Sequence, residues 1–324
     1  MQLVQQQAQI IKSLKAARKA VLVVHVQPDA DALGSMGAMA GLLRRWNIPY
    51  SLYCKDVPAH ARHLGFLVDL QTVAADLNDA LRGADTVVVM DCSDTRIAGL
   101  GEDIAGLMEK YVVLNIDHHA SNTLFGHHRL VVPTAASTTE ILHELLLCAH
   151  VQPSPEMATA LLAGIIFDTY NFTNPNTSST TLAVAGQLVA AGAHISMVSD
   201  ALLKNKSLAT MQCWGTILTR LQRNKDYNVA MTVITDQDMD GSVPLIEISE
   251  GAANFLNNLH GMAAVIMLQQ RDDGTIKGSM RTSSDTVDLA TLARLLGGGG
   301  HRKAAGFRIR GQLTQLPNGS WQIT

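Results

Sequence analysis

The sequence predicts an α/β fold in two domains, a parallel-sheet N-terminal domain and a smaller α/β C-terminal domain, with an active site expected in the cleft between them. Three observations carry this. The chain has 324 residues, about two domains at roughly 150 residues each, and its 47% apolar content can build a core in both. Short apolar runs of strand length alternate with helix-period segments in the first part, the pattern of a parallel sheet covered on both faces. Strand-like runs then return after a long helical stretch.

The start, MQLVQQQAQIIKSLKAARKA, is polar and helix-periodic. Val21 to Val26 (VLVVHV) reads as the first strand, Leu33 to Trp46 as a helix, and Tyr50 to Cys54 as a second strand. Thr86 to Met90 (TVVVM) and Val112 to Ile116 (VVLNI) repeat the pattern around another helical segment. Helices are expected at Ser137 to Cys148, Glu156 to Phe167, Thr180 to Ala191 and Ile195 to Leu203. We place the domains at 1–203 and 210–324, joined by a linker at 204–209. The second begins with a helix at Thr210 to Gln222, then alternates strands (YNVAMTVIT, AAVIMLQQ, TIKGSMRT) with helices at Pro244 to Leu259 and Val287 to Leu296.

Composition narrows the function. Charged residues are 16% of the chain, and 25 Lys+Arg against 28 Asp+Glu leave a net charge of −3, which argues against a protein that coats long duplex nucleic acid. Cys54, Cys92, Cys148 and Cys213 form no C-x-x-C pair, so neither a disulfide framework nor a cysteine zinc site is indicated. No apolar run approaches the roughly 18 residues of a membrane helix, and the N-terminus lacks a signal-peptide core. The expectation is a cytoplasmic protein without a membrane partner.

The polar residues that interrupt the apolar runs fall at strand ends. His25 closes the first strand and Asp29 and Asp31 follow it; Asp91 follows TVVVM; Asp117, His118 and His119 follow VVLNI. In a parallel sheet these ends share one edge, where ligands bind. Asp29 or Asp31 could equally cap the next helix, but the set together is a metal-ligand inventory. Asp168 ends the apolar run MATALLAGIIF, where a carboxylate meets the negative end of a helix and calls for a cation, either a metal or an Arg or Lys. Carboxylates with a minority of imidazoles suit manganese or magnesium. Their number suggests two ions about 3.5–4 Å apart sharing an aspartate, as in phosphoester hydrolases. His127 and His128 lack both a strand end and an acid and read as surface.

HVQPDADALGS (His25 to Ser35), VVVMDCSDTR (Val87 to Arg96), NIDHHASN (Asn115 to Asn122) and GIIFDTYNFTNPNTS (Gly164 to Ser178) together resemble the four motifs of the DHH phosphoesterase family. GSMRTSSDTVDLATLARLLGGGGHRKAAGF (Gly278 to Phe307) resembles the DHH-associated C-terminal domain. In length the chain is similar to the bifunctional oligoribonuclease (nanoRNase) and pAp-phosphatase group. The resemblance implies one manganese on His25, Asp29 and Asp91, and a second on Asp31, Asp91, His118 and Asp168. It places His119 on the substrate phosphate, and Arg281, His301 and the Gly298, Gly299 and Gly300 loop on a second part of the substrate. Phe167 departs from the small hydroxyl residue expected before Asp168.

Read without the family, successive glycine N–H groups can form an anion nest beside His301, or the run can be a mobile loop on a basic face, and Arg281 can be a surface ion-pair partner. From Leu289 to Thr324 there is no acidic residue. The function expected is a manganese-dependent phosphoesterase acting on short RNA, pAp, or cyclic or linear dinucleotides, with Asp91 and His119 catalytic. Its alternatives are a cyclic di-AMP phosphodiesterase, a single-strand DNA exonuclease and a non-catalytic nucleotide sensor. A homodimer is a possible state.

Overall fold

The computed structural model describes every residue except Met1, Pro58, Glu102, Asp103, Asn205, Asp236, Gln237, residues 239–244, Asn257 and Asn318. The chain divides into two compact units, Met1–Asn205 and Lys206–Thr324. Of the expected linker 204–209, Asn205 lies outside the described residues.

The first unit is built on a six-stranded, wholly parallel sheet. Its strands are β1 (Ala20–Val23), β2 (Tyr50–Tyr53), β3 (Val73–Ala74), β4 (Thr86–Met90), β5 (Val112–Asp117) and β6 (His128–Val131), in the order β3-β2-β1-β4-β5-β6. Its helices are α1 (Gln2–Ala16), α2 (Ala30–Arg45), α3 (Leu77–Leu81), α4 (Ile104–Lys110), α5 (Thr138–Cys148), α6 (Pro155–Asp168), α7 (Ser179–Ala190) and α8 (Ile195–Leu202). Alternation along the strands feeds two cores. Leu22, Val88, Met90, Leu114 and Ile116 join side chains of α2, α5 and α6, while Val21, Val23, Val87, Val89 and Val113 face the other way. That is why these strands read as unbroken apolar runs.

Three local readings differ from the structure. The first strand stops at Val23, and His25 lies in the loop beyond it, because the chain leaves the sheet to bond Val26 N to Ile97 O and turns at Gln27 (φ 54). The helix expected from Leu33 begins at Ala30, since the Asp29 side chain accepts the N–H groups of Asp31 and Ala32. Of the His127–His128 pair read as surface, His127 is exposed, its Nδ1 accepting the N–H of Val113 at 3.1 Å, whereas His128 is half-buried and opens the edge strand β6. A four-residue strand beginning with His and Arg carries too little pattern to be seen.

The second unit holds α9 (Leu208–Thr219), β7 (Gln222–Asn224), β8 (Val229–Ile234), α10 (Leu245–Leu256), β9 (Ala264–Gln270), β10 (Thr275–Arg281), α11 (Leu289–Leu295), β11 (Gly299–His301), β12 (Ala304–Arg310), β13 (Leu313–Gln315) and β14 (Trp321–Ile323). Its main sheet runs β11-β12-β10-β9-β8-β7, parallel only at β8–β9. Pro244 and Asn257, inside the predicted helix Pro244 to Leu259, lie outside the described residues. Helix α9 starts two residues before the expected Thr210 because Ser207 caps it, accepting Thr210 N–H at 3.1 Å. The ring of Phe307 on β12 lies against Gly278 of β10, and its backbone against Gly298, so a Cβ at either glycine would collide with it. Among the described residues, no helix is long and apolar enough to cross a membrane.

Candidate active site

The strand order reverses between β1 and β4, and the loops leaving their C-terminal ends diverge to open a crevice there. His25 follows β1, Asp91 follows β4, and Asp117 closes β5 with His118 and His119 after it. The N-terminus of α2 brings Asp29 and Asp31 to this edge, and the C-terminus of α6 brings Asp168.

Three groups of donor atoms gather there, each within 4.8 Å of one another: His25, Asp29 and Asp91; Asp31, His118 and Asp168; Asp91, His118 and His119. His25 Nε2 is 3.5 Å from Asp91 Oδ2 and 3.8 Å from Asp29 Oδ2. His118 Nε2 is 3.2 Å from Asp168 Oδ2 and 3.6 Å from Asp91 Oδ1. The two oxygens of Asp91 therefore face different histidines.

Each carboxylate is held by a specific local device. Asp29 caps α2 through Oδ1 while Oδ2 faces His25, so capping leaves one oxygen turned toward the hollow. Asp31, fully buried, sits on the N-terminus of α5: Oδ2 accepts Thr138 N–H at 2.7 Å, and Oδ1 accepts Thr139 N–H at 2.9 Å and its hydroxyl at 2.7 Å. Oriented N–H groups and the positive end of the helix support a charge there. Gly164 on α6 makes the space, since a Cβ at that position would strike Asp31 Oδ1 and Thr139. Asp91 adopts a left-handed backbone (φ 56) and accepts the Thr138 hydroxyl at 3.0 Å. A non-glycine residue there stores about 1–3 kcal/mol of strain, which the surrounding structure must hold. The Asp168 carbonyl accepts the side-chain amides of Asn174 and Asn176 at 3.0 and 3.3 Å. Tyr170, Asn171 and Phe172, all at positive φ, then turn the chain back.

The electrostatics are those of a crowded anionic hollow. Burial first, then the charges of Asp91 and Asp29, push the Asp31 carboxyl well above the usual range. Burial first, then Asp31, Asp29 and Asp91, do the same to Asp168. Burial would lower the pKa of His25, but its bonds and charge contacts with Asp29 and Asp91 outweigh this and push it up to about 12. Burial would raise Asp91, and His25 instead holds it well below the carboxylate range. His118 is lowered by burial.

The donor set fits divalent cations. Ligand atoms 3.2–3.8 Å apart are close to the spacing around an ion with bonds of about 2.1 Å, where neighbours at right angles lie about 3 Å apart. Oxygen with some imidazole nitrogen and no thiolate suits manganese or magnesium.

Asp117 has a different job. It is fully buried; Oδ1 accepts His118 N–H at 2.9 Å and bonds His119 Nδ1 at 2.7 Å, and Oδ2 accepts the Asn122 amide at 2.6 Å. Against burial, the bond to Asp117 and the charge of Asp91 push the His119 pKa up to about 9. Sequence reasoning counted Asp117 among the strand-end ligand candidates but missed its hold on His119, and missed Asn122, Thr138 and Thr139 as parts of the site. Ser137 with Glu140 three residues on marks a helix start, yet nothing in it says which carboxylate lies on that start.

In the second unit, Arg281 ends β10 and pairs with Ala304, and His301 in β11 pairs with the same residue from the other side. The His301 side chain lies outside the described residues. The glycine run is partly tied into the fold. Gly297 and Gly298 spend their N–H groups on the carbonyls of Arg294 and Ala293 at the end of α11, and Gly299 and Gly300 lie in β11 against Gly306 and Ala305. A Cβ at Gly298 would meet the Gly306 carbonyl, so close strand approach explains this glycine. Arg302 and Lys303 bind the loop after β10, through the Asp285 carbonyl at 2.6 Å, the Ser284 carbonyl at 2.8 Å and Asp285 Oδ1 at 2.6 Å.

Residues 19–165 match the DHH family, N-terminal domain, and residues 246–318 match the DHHA1 domain. The bifunctional oligoribonuclease and PAP phosphatase NrnA of Thermus thermophilus is 30% identical over 314 residues, covering 93% of this chain and 88% of that protein. The chain belongs to the DHH family. As a DHH phosphoesterase it is a hydrolase. Another relative, the cyclic-di-AMP phosphodiesterase GdpP of Geobacillus thermodenitrificans, is 29% identical over 305 residues, which are 90% of this chain and 44% of that protein. The DHH fold is shared with the solved structure of an exopolyphosphatase-related protein from Bacteroides fragilis, at TM-score 0.81 and 21% identity over 95% of this chain and 92% of that one.

Proposed function

We propose that this DHH hydrolase is a manganese-dependent phosphoesterase that cleaves short oligoribonucleotides to mononucleotides and removes phosphate from pAp. The observation that carries the reading is the meeting of two ligand groups at the two oxygens of Asp91. The chain that contains it is similar, over nearly its whole length, to a protein named for both activities. In this reading His25, Asp29 and Asp91 hold one cation, and Asp31, Asp91, His118 and Asp168 hold the other.

The bound pair would supply an acidified water and positive charge for the phosphate oxygens. Asp91 serves both positions, with its orientation set by the Thr138 hydroxyl. His119, anchored at Nδ1 by Asp117, offers a proton to the leaving oxygen. Arg281, His301 and the Gly298–Gly300 segment hold the far end of the substrate and so position the scissile bond.

The test is a product-resolved panel with manganese: pAp, di- to pentaribonucleotides, cyclic di-AMP, its linear form, and long single-stranded DNA. Short RNA and pAp should lead; failure to hydrolyse any nucleotide overturns the reading. The likeness to GdpP supports a second one, cyclic di-AMP phosphodiesterase, which a tenfold preference for that compound would establish.

A further inference from the structure

Asn122 stands in the turn after β5, outside both the proposed cation ligands and the proposed substrate contacts. Its Nδ2 lies 2.6 Å from Asp117 Oδ2, 2.9 Å from Asn115 Oδ1 and 3.2 Å from the Cys92 carbonyl. Its Oδ1 accepts the N–H of Leu124 at 2.6 Å, which fixes the end of the amide that is oxygen. An amide nitrogen has two hydrogens, so three acceptors share them. Asn115 Nδ2 reaches the same Cys92 carbonyl at 3.4 Å.

These contacts join two loops that nothing in the sequence links. Cys92 follows Asp91, whose backbone is held at φ 56, and Asp117 carries His119. Both Asp117 and Asn115 are fully buried. A carboxylate in low dielectric turns toward whatever donor is offered, and the donor at Oδ2 decides where Oδ1 points.

We propose that Asn122 is a positioning residue for hydrolysis: its amide sets Asp117 so that His119 is presented to the substrate, and clasps the Cys92 carbonyl so that the Asp91 turn keeps its register with the His118–His119 turn. This rests on the proposed placement of His119 beside the substrate. It also explains the residue type. An aspartate at 122 would put an acceptor against Asp117 Oδ2, whereas a serine keeps one donor.

The experiment compares wild type, Asn122→Asp, Asn122→Ala and Asn122→Ser by kcat and KM on a substrate that the wild type hydrolyses, by manganese affinity in calorimetry, and by proton NMR of the magnesium-loaded protein. The NMR readout is the downfield imidazole N–H of His119 bonded to Asp117. Asn122→Asp and Asn122→Ala should lose 10- to 100-fold in kcat with KM and manganese affinity within about threefold, and the downfield signal should vanish. Asn122→Ser should recover part of both. An unchanged kcat, a manganese affinity that falls in step with kcat, or a signal that persists in Asn122→Asp overturns the proposal. If the wild type hydrolyses nothing, the proposed function fails, and the NMR comparison still decides whether the clasp exists.

Discussion

Asp117 and His119 are joined by a 2.7 Å bond between Oδ1 and Nδ1, with the carboxylate fully buried and His119 pushed up to about 9 against its own burial. A ring kept protonated this way is suited to give a proton away. His119→Gln should therefore lower kcat by about 10²–10⁴-fold, with manganese affinity changed little. Single-turnover hydrolysis at saturating manganese, paired with a metal titration, checks both halves.

Asp91 faces His25 with one oxygen and His118 with the other. Asp91→Asn should weaken both cation sites, whereas Asp29→Asn should weaken one. Calorimetric stoichiometry distinguishes them; two normal binding events in Asp91→Asn would contradict its shared role.

Cation removal should cost stability because Asp31 and Asp168 repel their neighbours. Adding manganese to chelator-treated protein at about 100 times its dissociation constant should raise unfolding free energy by about 2.7 kcal/mol per independent site. Denaturant unfolding with and without manganese measures it.

Gly164 and Gly186 make a matched pair. A Cβ at Gly164 collides with Asp31 and Thr139, whereas one at Gly186, in α7, meets nothing. Gly164→Ala should lose about 1–3 kcal/mol and weaken cation binding, and Gly186→Ala should gain about 0.5–1 kcal/mol. Thermal unfolding of the two variants reads the contrast.

Arg220 forms a two-pronged pair with the half-buried Asp238, including a 2.7 Å bond from Nη2 to Oδ1. Burial opposes it, but the guanidinium and the Thr235 N–H and hydroxyl hold the Asp238 carboxyl below its usual value. A depressed folded-state pKa contributes stability that is present above the ordinary carboxylate value of about 4 and fades as the pH falls toward the folded value. Arg220→Ala should cost about 1–2 kcal/mol at neutral pH, with a smaller loss near pH 3; unfolding curves at both pH values test the sign.

What could be read from residues alone was the set of strand ends. TVVVM is β-branched and apolar on both faces, so β4 and Asp91 at its end follow from pattern. The two-residue β3 and the His128 strand leave no periodicity to detect. Convergence of His25, Asp91 and His118 was legible because parallel strands share an edge, and Asp168 stood out as a carboxylate at the negative end of a helix. The hydroxyl and N–H groups of α5 that hold Asp31 and Asp91 were not, because a capping serine followed by threonines looks the same whether or not a carboxylate rests on it. The glycine run is ambiguous for a related reason: tight strand contact and anion cradles both call for residues without side chains.

One benzyl group braces both halves of the second unit's arm: Phe307 rests on the strand that terminates at Arg281 and on the glycine that leads to His301. Exchanging that aromatic for a smaller or bulkier group would disturb both strand ends at once, so the two proposed substrate contacts are coupled through a single side chain.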